Sequence, residues 1–144
     1  MIRKAEIKDI FQIVSIEKKG FHQTLGEKFL YLEFTENPDA LYYVIEQSGT
    51  VVGYLGFRLH DKSAEMMNFI ISQEYQGQGL GTQLLTYLFG VLKSHQIEKI
   101  VLEVRASNVR AQHFYKKFNF YESHRMKQYY GNEDGIVMVK EGDL

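Results

Sequence analysis

Three glycines alternate with other residues in the segment Gly77-Gln78-Gly79-Leu80-Gly81. The segment follows an apolar run at 66–71 and precedes a long helical pattern, so the sequence predicts a strand, a tight turn and a helix. Glycine lets backbone N–H groups approach an anion closely, and the start of a helix adds partial positive charge. The segment therefore predicts a turn that binds a phosphorylated cofactor. A purely steric role for the three glycines is the alternative.

The spacing of this turn separates it from two common nucleotide-binding loops. No Gly-Lys-Ser/Thr sequence ends it, which excludes the P-loop. The third glycine falls at Gly81, which does not fit the Gly-x-Gly-x-x-Gly fingerprint of dinucleotide-binding proteins. The remaining hypothesis is a short anion-binding turn without a magnesium-binding partner.

A carboxylate interrupts the apolar run at 101–104. Alternation along a strand places Glu103 on the face opposite Leu102 and Val104, with Arg105 as its neighbour on the same side. A structural ion pair between Glu103 and Arg105 is one interpretation. The other is a general base, because partial burial raises the pKa of a carboxyl group toward neutrality.

A third candidate for chemistry is a tyrosine on a predicted helix at 109–118. Tyr115 lies between Phe114 and Phe118, and aromatic residues at this spacing usually fill a core. A tyrosine hydroxyl on such a helix could instead donate a proton or a hydrogen bond. The pattern by itself favours the core.

Other reaction classes have no support in the sequence. No serine has the local pattern of a hydrolase nucleophile, and the chain has no cysteine. The histidines lack the spacing of metal ligands, so no metal site is predicted and surface positions are expected for them: His22, His60, His95, His113, His124.

Composition predicts one globular domain over residues 1–144. Lys plus Arg is 17 and Asp plus Glu is 18, a formal net charge of −1, which gives no case for bulk binding to nucleic acid or to a membrane surface. No signal peptide and no membrane-spanning run is expected, and the lack of cysteine fits a reducing compartment. We therefore expect a cytoplasmic protein, either a monomer or a homodimer.

The hydrophobic periodicity positions these residues in an α/β fold, an α+β arrangement with one mixed sheet of about seven strands and helices on both faces. An antiparallel meander is expected first, followed by a helix and a strand parallel to the last meander strand. Strands are predicted at 2–5, 41–47, 50–59, 64–71, 99–104, 121–127 and 136–140. Helices are predicted at 8–18, 27–34, 79–95 and 109–118.

These elements and motifs, in this order, resemble the GNAT superfamily of acyl-CoA-dependent N-acetyltransferases. The pyrophosphate loop of that family reads Gln/Arg-x-x-Gly-x-Gly/Ala, which 76–81 matches completely. The stretch from Leu102 to Asn108, the aromatic helix after it and the Tyr129-Tyr130 pair resemble the RimI-type enzymes, which acetylate the N-terminal alanine of a small-subunit ribosomal protein.

The resemblance implies a role for each matching residue. Glu103 would be the base that accepts a proton from the amine, and Tyr115 the acid that protonates the CoA thiolate. Asn108 would bond the cofactor arm, and Tyr129 and Tyr130 would bind the acceptor. The backbone of β-strand residues Phe69, Ile70 and Ile71 would pair with the pantetheine arm of acetyl-CoA. The pyrophosphate would be held at Gln76, Gly77, Gln78, Gly79, Leu80, Gly81 and Thr82.

The leading functional hypothesis is transfer of acetyl from acetyl-CoA to the α-amine of a protein N-terminus by direct attack, which needs no enzyme nucleophile. A small-molecule amine acetyltransferase is the alternative, because 20–25 has no Pro-Trp pair and Gly131 replaces a proline usual in RimI-type enzymes. A non-catalytic acyl-CoA-binding protein is the third possibility. Retention of both Glu103 and Tyr115 argues against it.

Overall fold

The computed structural model describes residues 1–20, 24–142 and 144, which form one mixed sheet of seven strands with four helices. The strands are β1 (Ile2–Lys4), β2 (Ala40–Gln47), β3 (Thr50–His60), β4 (Ser63–Ile71), β5 (Lys99–Arg105), β6 (Tyr121–Met126) and β7 (Gly135–Glu141). The helices are α1 (Ile10–Gly20), α2 (Glu27–Glu36), α3 (Leu80–Ser94) and α4 (Val109–Lys117). Each strand and helix predicted from periodicity is present, with ends shifted by at most two residues.

The first four strands form an antiparallel meander in the order β1-β2-β3-β4, as the sequence predicts. The β2–β3 hairpin turns at Ser48 and Gly49, whose φ angles of 53° and 79° match the right-handed twist of the two strands. The sheet continues as β4-β5-β7-β6, so β7 lies between β5 and the edge strand β6.

A gap opens between β4 and β5. The two strands are parallel, and they pair only at Ser63–Lys99, Ala64–Ile100 and Glu65–Val101. Shortly after the last of these pairs, the β3–β4 register shifts. Phe57 pairs with Met66 and Gly56 pairs with Asn68, so Met67 is a bulged residue of β4 with no partner in β3. The described part of the chain has no β4–β5 pair after the bulge. The open ends of β4 and β5 therefore leave a slot in the middle of the sheet.

The helices cover both faces of the sheet because each has one apolar side. The larger core lies under α3, whose inward leucines are at most 4% exposed: Leu80, Leu84, Leu85, Leu88 and Leu92. Their i, i+4 spacing is the helical periodicity seen in the sequence. A second core joins α1 to the opposite face of β2 and β3 through Ile13, Val44 and Tyr54. Burial of each such side chain stabilises the fold by about 1.5–3 kcal/mol.

Some predictions concern residues outside the described part. Phe21, His22 and Gln23 fall there, and they make up half of the 20–25 segment that differs from RimI-type enzymes. The four described histidines are exposed, as predicted. Among the described residues, no helix is long and apolar enough to cross a membrane, and no group of three metal-ligating side chains occurs.

Candidate active site

The glycine turn leaves three backbone amides without an acceptor among the described residues. Gly77 and Gly79 have φ angles of 82° and 80°, and no atom lies within 4 Å of a Cβ built at either position. Gly79 is the N-cap of α3 and supplies no side-chain cap. The first helical bond runs from Gln83 N–H to Gly79 C=O, at 3.0 Å. Within the described chain, the N–H groups of residues 80–82 therefore remain available to an anion.

The third glycine has a different role. Gly81 has an ordinary helical φ, and a Cβ there would touch Phe69, Ile71 and Phe114 at 3.6–3.9 Å. These apolar side chains form one wall of a cavity of about 430 Å³ that reaches from the turn to α4. The cavity combines an anion-binding end with an apolar wall, which suits a long ligand with a phosphorylated head.

The exposed edge of β4 presents hydrogen-bonding groups to the same cavity. Ser72 N–H donates to Val52 C=O on the β3 side at 2.7 Å. Because backbone groups alternate along a strand, those of Ile71 and Phe69 point to the open side, and those of Ile70 point toward β3. The Gln76 side chain donates to Ile71 C=O at 2.9 Å and so ties the turn to the end of β4. Ile70 still lines the cavity.

Two residues at the start of α4 complete the cavity. Asn108 is the N-cap of α4, and its Oδ1 accepts a bond from Ala111 N–H at 3.1 Å. This bond uses the carbonyl oxygen of the side chain, and Asn108 also lines the cavity. Arg110 lines the same region and adds a positive charge next to the glycine turn. Arg110 could not be identified from the sequence, since an arginine in a helix has no motif of its own.

Tyr115 is both a core residue and a lining residue of the cavity. Its side chain is 8% exposed and packs among aromatic rings, which confirms the interpretation favoured by the pattern. Its hydroxyl donates to Met66 Sδ at 3.5 Å, a weak acceptor located where β4 leaves β5. Burial raises the pKa of Tyr115, so the hydroxyl keeps its proton. A protonated hydroxyl beside the slot can act as an acid.

Glu103 lies on the other face of the sheet. Leu102 and Val104 point into the core under α3, so alternation directs Glu103 away from it. Burial, and to a lesser degree the charge of Glu65, raise the pKa of the Glu103 carboxyl group. The described chain contains no ion pair to Glu103. Arg105 instead pairs with Glu133 at 2.9 Å, so the predicted alternative of a Glu103–Arg105 ion pair is wrong.

The tyrosine pair lies close enough to Glu103 to be affected by its charge. That charge is the main cause of the raised pKa of Tyr129, and it adds to the effect of burial on the pKa of Tyr130. Arg105 stacks on the Tyr130 ring at 4.3 Å, and its bond to Glu133 lowers the pKa of that carboxyl group. The β6–β7 loop is thereby fixed beside Glu103.

The structure therefore brings the predicted residues together in two groups separated by the slot. Tyr115, the glycine turn and Asn108 share the cavity on the α3–α4 side. Glu103 and the two tyrosines share the opposite side. A thioester passing through the slot from the cavity would be exposed to a base and an amine on the far side. Glu65 belongs to the second group, and only the β4–β5 register reveals that it is near Glu103.

The sequence of residues 7–120 matches the Acetyltransferase (GNAT) family. The chain belongs to this family. Its members transfer an acetyl group from acetyl-CoA to an amine, so the chain is an acyl-CoA-dependent N-acetyltransferase. The predicted fold class and family are confirmed.

Relatives of this acetyltransferase cover almost its whole length. A Bacillus subtilis protein provisionally named a ribosomal protein bS18-alanine N-acetyltransferase is 35% identical, over 95% of this chain and 92% of that protein. The Escherichia coli K12 enzyme of the same name is 32% identical over 85% of this chain and 78% of its own length. The crystal structure of the Escherichia coli ribosomal-protein-S18-alanine N-acetyltransferase has a TM-score of 0.91 at 27% identity, covering 100% of this chain and 94% of that one.

Proposed function

We propose that this acetyltransferase acetylates the N-terminal α-amine of a protein, with a ribosomal-protein N-terminal alanine as the leading acceptor. The observation that carries the proposal is the position of the Tyr129–Tyr130 pair. Tyr130 stacks on Arg105 at 4.3 Å, and Arg105 is the neighbour of Glu103 on the sheet face opposite the α3 core. The names of the relatives support it, since two of them are named for ribosomal protein bS18.

The cofactor side fits acetyl-CoA. The free amides after Gly79 and the charge of Arg110 suit the pyrophosphate and neighbouring phosphate groups. Phe69 offers its backbone N–H and C=O, and Ile71 its N–H, to the pantetheine arm, as a sheet edge pairs with an added strand; the Ile71 C=O already accepts from Gln76. Asn108 lines the same cavity, where its side-chain NH2 group can donate to that arm. Acetyl-CoA supplies an activated acetyl group. Residues of the chain bind the cofactor, accept the proton from the amine and donate a proton to the leaving sulfur.

The acceptor side fits an α-amine. An α-amino group has a pKa of about 8, against about 10.4 for lysine, so deprotonating it near neutral pH costs less free energy. A carboxyl group with a raised pKa, such as Glu103, is a better base for this step than an ordinary carboxylate. The amine nitrogen attacks the thioester carbonyl, Glu103 accepts the amine proton, and Tyr115 returns a proton to the departing sulfur.

A panel of acceptors tests the proposal. Purified protein is incubated with acetyl-CoA and, in separate reactions, with peptides that begin with alanine, the same peptides with a blocked N-terminus, polyamines, amino sugars and free amino acids. Amine-dependent release of CoA thiol is measured as an initial rate. We expect turnover with the free N-terminal peptides and its loss when the N-terminus is blocked. Turnover confined to the small amines would overturn the proposal.

A further inference from the structure

A second carboxylate, Glu17 on α1, is fully buried and has no part in the proposed chemistry. It is 0% exposed. Its oxygens accept four hydrogen bonds from neutral donors: Tyr54 hydroxyl at 2.5 Å, Asn68 side-chain amide at 2.9 Å, Leu25 N–H at 3.2 Å and Gly26 N–H at 3.4 Å. Buried polar atoms are almost always hydrogen-bonded, and four donors directed at two oxygens match the acceptor capacity of a carboxyl side chain.

The four donors belong to three separate parts of the active-site surroundings. Leu25 and Gly26 are the last residues before α2. Asn68 lies in β4 directly after the bulge and directly before the edge residues Phe69 to Ile71. Tyr54 lies in β3, and Asn68 also donates to its hydroxyl at 2.9 Å. One carboxylate therefore connects the segment before α2 to the strand that borders the cofactor cavity.

These bonds fix direction as well as proximity. Two consecutive backbone N–H groups point at the same carboxylate, which sets the orientation of residues 25 and 26 relative to β4. Apolar contacts alone would let the segment slide across the sheet, because dispersion forces have little directional preference. Helix α1, which carries Glu17, ends at Gly20, and Gly20 lines the cofactor cavity. Both α1 and α2 pack on the face of the sheet opposite α3, and Glu103 points to that same face.

We propose that Glu17 is a positioning residue for the acceptor. It holds the segment before α2 at a fixed place relative to β4, so that the acceptor amine meets the acetyl group in the slot. The proposal rests on the proposed function, since it assumes an acceptor bound on this side. The glycine turn has its own bonds, through Gln76 and the start of α3, and does not depend on Glu17.

The variant Glu17→Gln tests this role. It keeps the size of the side chain, but it removes an acceptor oxygen and points a new donor at groups that are themselves donors. We expect KM for the acceptor peptide to rise about tenfold, with the Kd for acetyl-CoA within about twofold of the wild-type value. Steady-state kinetics and calorimetry measure the two quantities.

Glu33→Gln is the matched control. Glu33 is also a buried carboxylate, 3% exposed, bonded to Tyr42, Arg58 and Asn37. None of these partners lies before α2 or in β4. We expect this variant to lose stability without a selective change in acceptor KM. An equal change in both variants, or a loss of acetyl-CoA affinity equal to the loss for the acceptor in Glu17→Gln, would overturn the positioning role.

A measurement without substrates separates this proposal from the proposed function. Hydrogen exchange at the Leu25 and Gly26 amides should be faster in Glu17→Gln than in the wild type or in Glu33→Gln. Unchanged exchange at both amides would overturn the proposal, even if acceptor kinetics change. If the wild type acetylates no peptide, the proposed function fails and the exchange comparison still decides whether Glu17 holds this segment. Should Glu17→Gln fail to fold, Tyr54→Phe keeps the carboxylate and removes the Tyr54 hydroxyl, which donates to Glu17 and accepts from Asn68; it is expected to raise acceptor KM about threefold.

Discussion

At the scale of single residues, Glu103 and Tyr115 have opposite roles in the proposed mechanism: Glu103 accepts a proton and Tyr115 gives one. Burial favours the neutral form of each, so it raises the pKa of Glu103 and also that of Tyr115. A carboxyl group with a raised pKa is a stronger base once it is ionised. For a phenol, a raised pKa gives a group that keeps its proton. The same physical effect therefore suits the proposed base on one face of the sheet and the proposed acid on the other.

Replacing the base should reduce the rate without weakening the binding of acetyl-CoA. We expect Glu103→Gln to lower kcat by about a hundredfold to ten-thousandfold, because a general base of this kind contributes that range. The Kd for acetyl-CoA should stay within about twofold, since Glu103 does not line the cofactor cavity. Stopped-flow kinetics and calorimetry measure the two values. Unchanged turnover would remove Glu103 from the mechanism.

The second residue-scale prediction concerns Glu65, whose charge contributes to the raised pKa of Glu103. A like charge disfavours ionisation, so removing it in Glu65→Gln should lower the pKa of Glu103. Burial remains in this variant, so the pKa should stay above the ordinary value for glutamate. Carbon-13 NMR of the carboxyl groups follows the titration directly. Glu98→Gln, an exposed carboxylate at the other end of β5, is the control and should leave the Glu103 titration in place; identical titrations in both variants would contradict the account.

At the scale of elements, the proposed binding of acetyl-CoA depends on how β4, the glycine turn and α3 follow one another. Two glycines with positive φ reverse the chain, and the helix begins with its amides free. Gln76 then fastens the turn to the last carbonyl of β4. Each part of this arrangement is local in sequence, which is why the motif could be identified before the structure was known.

Gly79→Ala should weaken acetyl-CoA binding through both strain and space. A positive φ costs alanine about 1–2 kcal/mol, and the new methyl group projects into open space where the phosphate would lie. Gly49→Ala has a nearly identical φ of 79° and equally open surroundings, but it lies in the β2–β3 hairpin. Both variants should lose similar stability by thermal unfolding. Only Gly79→Ala should raise the Kd, by about tenfold, and equal Kd values would contradict the account.

At the scale of the whole molecule, the slot between β4 and β5 joins the two halves of the site. It forms because β4 and β5 pair at only three positions before the bulge at Met67, and no local pattern in the sequence predicts that register.

The meander, the helices and the glycine turn were predictable because their signals are periodic or local. The proximity of Glu65 to Glu103, the Arg105–Glu133 pair and the buried bonds of Glu17 were not, since each joins residues distant in sequence. The match to 7–120 confirms the family that the motifs indicated.

The most direct test of the central claim is the position of the acetyl group on a peptide that offers both kinds of amine. The peptide begins with a free alanine and carries one lysine, and it is incubated with the protein and acetyl-CoA at neutral pH. Fragmentation mass spectrometry then locates the acetyl group. The account predicts acetylation of the alanine α-amine, and loss of that product with Glu103→Gln. Acetylation of the lysine ε-amine alone would contradict it.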